Sequence, residues 1–287
     1  MSEQDTSGTA VSPTDRPVWD AARSYAYDRY LSALLAPRSV QADLVVLAAF
    51  FGEVRRIPLI VADAAAAEIR LQWWRDALSP EAPASGHPVA DAMLELKRRR
   101  GLPDDLVLLP LVEGYSRELY EDGIDDAADL SRCADETDGA AIRLALQVLG
   151  ANEREFDSLI EPAGRALALT HLALTLPQQL AHGRLPLPPD YADGRDPRAL
   201  GPQEAREAAR HILARLGNEA AAALQRFQMQ QKRLPGGFSA AFLPLCLVAP
   251  YFKSILNANR DVLTDVADIS PLSRVTRLWF AHWRGRI

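Results

Sequence analysis

Two adjacent arginines, Arg55 and Arg56, end the most apolar long stretch of the 287-residue chain, with Glu53 just before them and Pro58 just after. An arginine can hold a phosphate group directly, because its planar fork of N–H donors matches the oxygens of the anion. The same pair also suits the negative end of a helix dipole with no ligand involved. Arg70, further along, is a third candidate for a cavity wall. A second apolar segment, 162–180, carries the polar insertions Thr170, His171, Thr175, Gln178 and Gln179. His171 and Thr175 lie one helical turn apart and share a face. A histidine with no second ligand beside it reads as a hydrogen-bonded core residue rather than a metal site. The chain has no glycine-rich phosphate loop, nucleophile elbow or Cys/His cluster, so no residue is assigned as catalytic and none as a metal ligand.

The elements that must position these residues are helical throughout. From Asp43 to Ile57 the apolar positions Leu44, Leu47, Ala48, Phe51, Val54 and Ile57 follow the spacing of one helix face, and Val46 and Phe50 extend it, which predicts a central buried helix ended by Pro58. Asp63 is placed to cap a helix running to Leu78. An amphipathic helix is expected over 19–35. Pro88 starts another, whose basic run 97–100 reads as a solvated C-terminal turn. Pro103 starts one reaching about Tyr120, on which Glu118 and Asp122 read as surface acids. A short helix over 129–134 and a long one over 136–149, with Gly150 just past its end, come next. The segment 162–180 is expected to pair with the central helix. The loop 183–196 leads to a long amphipathic helix over 202–232, an apolar pair interrupted by Pro244 and Pro250, and a closing helix over 271–283. On that last helix Leu278, Trp279 and Trp283 are expected to pack inward, with Arg274, Arg277 and Arg284 in water. No stretch alternates like a strand between turn signals. The fold class is therefore all-α, as one helical domain over 18–287 behind a polar, disordered tail over 1–17.

Several strings give this layout a relative. Leu34-Leu35-Ala36-Pro37, then Ala49-Phe50-Phe51 near the end of the apolar helix, then Leu71, Trp73, Trp74 and Leu78, and later His182–Asp190 (HGRLPLPPD) occur in an order that resembles the squalene and phytoene synthase family. Thr137 and Gly139 resemble that family's TxG turn, and Arg184 its GR dipeptide. The resemblance runs from about Tyr25 to Arg284 and implies an isoprenoid-synthase-like bundle around a central cavity. It adds Thr137 and Arg184 to the candidates for that cavity, Arg184 as a phosphate ligand. It also implies a Mg²⁺-dependent head-to-head joining of prenyl diphosphates, in which carboxylate-held metal neutralises the departing pyrophosphate.

The departures point the other way. Counting without gaps from Pro37, the first Asp-rich motif falls on Arg55, Arg56 and Leu59, and the aspartates of the second on Thr175 and Gln179. The diphosphate-holding serine falls near Asp28, the arginine after the LLP near Gln41, and the tyrosine of the first long helix on Ala48. Arginine repels the metal that aspartate binds. The segments Glu68–Leu78, Leu111–Gly123 and the Thr175-x-Pro177 pair are similar to the branch of the family that includes respiratory complex I assembly factors. The expectation is thus a binding or assembly protein without prenyltransferase activity and without a cofactor, Mg²⁺ being required only if catalysis survives. The implied partners are respiratory complex subunits or a prenyl lipid. Two alternatives stand beside it. One is a prenyltransferase with an atypical site built from Glu53, Glu68, Glu118 and Asp122. The other is a lipid-binding protein.

Composition sets the outer bounds. A net charge of −6 argues against a general nucleic-acid binder. Cys133 and Cys246 read as reduced core residues. No apolar run reaches the roughly 18 residues of a membrane span, and the tail shows neither an apolar signal core nor a basic transit pattern. A bacterial cytoplasmic protein is expected, with peripheral contact at the inner membrane through the basic, Trp-bearing last helix as an added reading.

Overall fold

The computed structural model describes residues 15–79, 81–102, 108–120, 124–231 and 236–287. These form an all-α bundle, and no strand occurs among them. The tail over 1–14, the Pro103 helix start and Asp122 lie outside the described residues.

The chain enters through α1 (Arg16–Tyr25) and α2 (Tyr27–Leu34), which are two helices rather than the one expected. Ala26 breaks them, with φ −143° and ψ 51°. The break frees the Tyr25 carbonyl, which accepts from Arg55 Nη2 at 3.1 Å. Central helix α3 (Arg38–Arg55) is buried on most sides, as its all-round apolar pattern requires. It presses so closely on α1 that a Cβ on Gly52 would lie 2.7 Å from the Tyr25 Cβ. Pro58 opens the short α4 (Ile57–Ile60) instead of only ending α3. Asp63 caps α5 (Ala64–Ala77) by accepting from Ala66 N at 2.7 Å. Pro88 begins α6 (Pro88–Arg100).

The basic run of α6 is exposed at Arg98, Arg99 and Arg100, as expected, but not at Lys97. Lys97 is buried and donates to the Leu78 carbonyl. Arg99 and Arg100 both grip Asp43, with closest distances of 2.6 Å, and tie the end of α6 to α3. Burial opposes the ionisation of Asp43, but the two guanidiniums outweigh it and hold its carboxyl below the usual range.

Next come α7 (Leu109–Arg117) and α8 (Ala127–Ala134), the latter capped by Asp126. A single wide turn of π geometry, Asp135–Gly139, joins α8 to α9 (Ala140–Val148). Gly150 follows α9 with φ +84°, a conformation that costs glycine nothing. The wide turn is held by close backbone approach. A Cβ on Gly164 would meet Gly139 N at 2.8 Å, and one on Gly114 would meet Thr137 Cγ2 at 2.7 Å.

The second apolar helix, α10 (Asp157–Ala181), pairs mainly with α11 (Pro202–Gln230) and with the wide turn, while α3 is flanked by α1, α2, α6 and α9. The expected pairing of α3 with α10 gives way because α11 supplies a longer complementary face. The apolar pair with its two prolines becomes tight turns over 236–247 followed by α12 (Val248–Ile255). The last helix, α13 (Pro271–Arg284), docks on α2 and the 243–247 turns; Leu278 is buried and Arg277 and Arg284 are exposed as expected, but Arg274 and the two tryptophans have changed places. Arg274 is 7% exposed, Trp279 56% and Trp283 70%. An amphipathic pattern fixes that a helix has two faces; the half-buried carboxylate of Asp28 decides which one faces inward.

Candidate functional site

Between α1, α2, α10, α12 and the start of α13 lies a cavity of ≈ 440 Å³. Its inner wall carries a chain of charged groups. Arg29 on α2 donates to Asp138 Oδ1 at 2.5 Å, Asp138 Oδ2 is 2.8 Å from His171 Nδ1, and His171 Nε2 is 2.8 Å from Arg55 Nη1. The protonation pattern follows from the partners. Arg55 can only donate, so His171 Nε2 accepts and its Nδ1–H donates to Asp138, which makes the ring neutral. Burial, with Arg55 beside it, lowers the His171 pKa against the pull of Asp138. Burial would raise Asp138, yet the His171 donor and the two guanidiniums keep it ionised well below the ordinary carboxylate range. The cluster therefore carries two positive charges and one negative.

The wide turn explains how Asp138 reaches this position. It inserts an extra residue into an otherwise continuous helix, which turns Asp138 toward α2 and α10 while Thr137 back-bonds to the Cys133 carbonyl at 2.7 Å. Such turns recur at functional sites.

Behind the cluster, in a small pocket shared with Arg55, Thr137 and Thr175, sits Glu118. It is not a solvated acid. Burial first, and then the charge of Asp138, push its pKa up to about 8, so it is largely protonated at neutral pH. Gln179 Nε2 approaches Glu118 Oε2 at 3.3 Å, and Gln179 Oε1 is buried without a partner among the described residues.

At the cavity's other end a second cluster ties α13 to α2. Tyr251 donates to Asp28 Oδ2 at 2.7 Å, and Arg274 Nη2 donates to the Tyr251 hydroxyl at 2.8 Å and to Asp268 at 2.6 Å. Arg274 Nε also lies 2.6 Å from Asp28 Oδ1, as a close ion pair rather than an aligned hydrogen bond.

Of the residues singled out by sequence, Arg55, Thr175 and Gln178 line the main cavity. Thr137 and Gln179 stand just behind it. Arg56, Glu53 and Arg70 do not face it: they line a separate groove of ≈ 320 Å³ beside Trp73, where Arg56 meets Glu53 at 3.4 Å and covers the Tyr25 ring at 3.9 Å. Arg184 is consumed structurally. Its guanidinium is buried and donates to the carbonyls of Pro58, Val61 and Ala62, satisfying the end of α4. Gln41 likewise donates to the Leu34 and Ala36 carbonyls, and Ala48 is buried in the core. The described acids of the atypical-site alternative do not converge. Glu53 faces Arg56, Glu68 is held by Arg75 and Ser116, and Glu118 faces Gln179.

Sequence reasoning missed Arg29, Asp138, Asp28, Tyr251 and Arg274. Asp138 is the unnamed middle residue of the Thr137-x-Gly139 string, and that string was the one available signal. Arg29 reaches Asp138 across 109 residues of chain and Tyr251 reaches Asp28 across 223, separations that no local pattern spans.

A family model described as squalene/phytoene synthase matches residues 22–276. Among curated proteins, NADH dehydrogenase (ubiquinone) complex I, assembly factor 6 of Bos taurus is 23% identical over 290 residues, spanning 98% of this chain and 85% of that protein. Its counterpart in Rattus norvegicus is 23% identical over 269 residues, spanning 91% and 79%. Among solved structures, squalene synthase HpnC from Alicyclobacillus acidocaldarius superposes with a TM-score of 0.60 at 18% identity, covering 95% of this chain and 94% of its own. YisP from Bacillus subtilis superposes with a TM-score of 0.65 at 15% identity, covering 94% and 96%. At these identities the two structures establish the fold alone.

Proposed function

Since the chain belongs to the squalene/phytoene synthase family, we propose that it keeps the family's cavity, has given up metal-dependent prenyl transfer, and works in the bacterial cytoplasm as a binding or assembly factor in respiratory complex I biogenesis. The observation that carries this reading is the Arg29–Asp138–His171–Arg55 chain. Mg²⁺ requires several oxygen ligands, mostly carboxylates, in near-octahedral array. The one ionised carboxylate of the inner wall, Asp138, is already bonded to Arg29 and His171, with a second guanidinium beyond. A divalent cation there would have to break both bonds and then stand between two positive charges. Among the described residues no group of three or more His, Cys, Asp and Glu side chains could hold a metal. The residues present do not fit the metal cluster that the family's chemistry calls for.

The likeness to complex I assembly factor 6 over nearly the whole chain supports the assembly role. Purified protein incubated with farnesyl or geranylgeranyl diphosphate and Mg²⁺ is expected to release no pyrophosphate and to form neither squalene nor phytoene; turnover to either product overturns the reading. A deletion strain is expected to lose NADH-dependent respiration with its isoprenoid content unchanged.

A second reading has its own support. The cavity volume falls within the range of small-molecule sites, and its wall joins aromatic and apolar surface to a net positive inner end. That combination suits a lipid with an anionic head at Arg29 and Arg55. Native mass spectrometry that finds no co-purifying lipid would count against it.

A further inference from the structure

The geometry points to α13 as a docking surface for an anionic lipid bilayer, seated through Trp279, Trp283 and Leu272 and held by Arg277, Arg284 and Arg286. The proposal does not rest on the assembly reading or on the fate of the catalytic site.

The first ground is the exposure of both tryptophans on α13. At 100° per residue, Arg274, Leu278 and Ala281 form the buried face, and Leu272, Val275, Trp279 and Trp283 form a stripe that runs from its side round to the opposite face. All four stripe residues are exposed, as is Phe280 beside them. The Trp279 and Trp283 rings stack in parallel with centroids 6.3 Å apart, and Phe280 lies 6.2 Å from Trp283. Single exposed apolar residues are ordinary, but a contiguous aromatic stripe on a terminal helix marks an interaction surface.

Charge then selects the occupant. The protein as a whole carries −6, yet residues 271–287 contain four arginines and no acid. Arg274 is used inside the bundle. Arg277 and Arg284 lie past Phe280, between the apolar surface and the buried face, with Arg284 over the Phe280 ring, and Arg286 follows the helix end; all three are exposed. An apolar stripe rich in Trp and bordered by arginines is the pattern of a helix that lies in a membrane interface, its rings at the headgroup level and its cations on anionic phosphates. A protein partner would need an apolar acidic groove, whereas a bilayer supplies both properties along its whole surface.

Continuity with the cavity is the third ground. Val266, Ala267 and Asp268, immediately before α13, line the cavity with Ser24 and Tyr25, and Val266, Ser24 and Tyr25 are exposed. The cavity rim therefore adjoins the start of the helix that carries the stripe.

Sedimentation of the full chain with vesicles tests the proposal. The full chain is expected to bind vesicles of phosphatidylcholine containing phosphatidylglycerol, with at least tenfold weaker binding to pure phosphatidylcholine and a steep loss as salt is raised. The charge variant R277E/R284E/R286E and the stripe variant W279S/W283S should each weaken binding about tenfold or more while retaining the wild-type circular dichroism spectrum. These side chains are exposed, so folding should survive. Tryptophan emission should shift to the blue on anionic vesicles in wild type and not in W279S/W283S. Equal binding to both vesicle types, no binding at low salt, or binding that both variants retain would overturn the proposal. So would a concentration-dependent dimer that W279S/W283S abolishes, because a second copy would then cover the stripe.

Discussion

The two ends of the cavity are built from the same kinds of side chain in opposite proportion. The inner cluster sets Arg29 and Arg55 against the single carboxylate of Asp138, with a neutral histidine between. The outer cluster sets Arg274 against Asp28 and Asp268, with a tyrosine hydroxyl between. One end therefore has a positive charge to spare and the other a negative one. The difference assigns roles: the inner end can take an anionic group, and the outer end is a fastening that fixes α13 in place. A metal-dependent prenyl transferase needs the reverse, with acids gathered where the pyrophosphate leaves.

The sharpest way to break this contrast is at Asp138. D138A would leave two cations facing each other across a half-buried wall, and it is expected to cost about 3–5 kcal/mol of unfolding free energy in urea titration. Adding R55M should recover part of that loss, because it removes one of the stranded charges; no recovery would mean that Asp138 matters for packing rather than for charge. At the outer end, R274M strands Asp28 instead and should cost roughly 2–4 kcal/mol. It should also free α13, seen as rapid proteolytic cleavage in the segment over 256–270 before the rest of the bundle is cut.

A third test uses pH. The folded-state pKa of Glu118, about 8, lies above its ordinary 4.5. The native state thus holds a proton that the unfolded chain releases in that window, and stability is lost as pH rises from about 4.5 through about 8. E118Q is expected to flatten this decline, gaining stability over wild type at pH 8.5 and little at pH 4.5. Equal changes at both pH values would contradict the protonated state. The smallest effect belongs to Asp268, whose side chain is 63% exposed although it meets Arg274 at 2.6 Å. Water screens that pair, so D268N should cost less than about 1 kcal/mol and leave α13 resistant to protease.

Much of the fold could be read in the chain. The cap at Asp63, the helix start at Pro88, the stop at Gly150 and the long face of 202–230 are local signals set by residues within a turn or two of one another. The break at Ala26 carries no such signal, because distant Gly52 and Arg55 meet it; the Thr137-x-Gly139 string marks the wide turn, but not the close approach of Gly114 and Gly164 to it. Charge was the least legible property. Asp43 gathers the exposed Arg99 and Arg100 into a clamp, and Asp28 draws Arg274 inside. Arg184 followed the family string closely and still serves three carbonyls rather than a phosphate. Helical periodicity says that an arginine and a tryptophan stand on opposite faces. Only the location of a half-buried acid says which of them goes inside.

The π turn at Asp135–Gly139 also fixes chain length. Deleting Glu136 would let α8 run into α9 as ordinary helix, with regular bonding. Every later residue would then be offset by about 100° around the axis relative to α8. Asp138 would leave Arg29 and His171, and Gly139 would no longer lie under Gly164. A shorter protein with a smoother helix would be left with two unmatched cations in its centre, so the irregular residue count is itself part of the site.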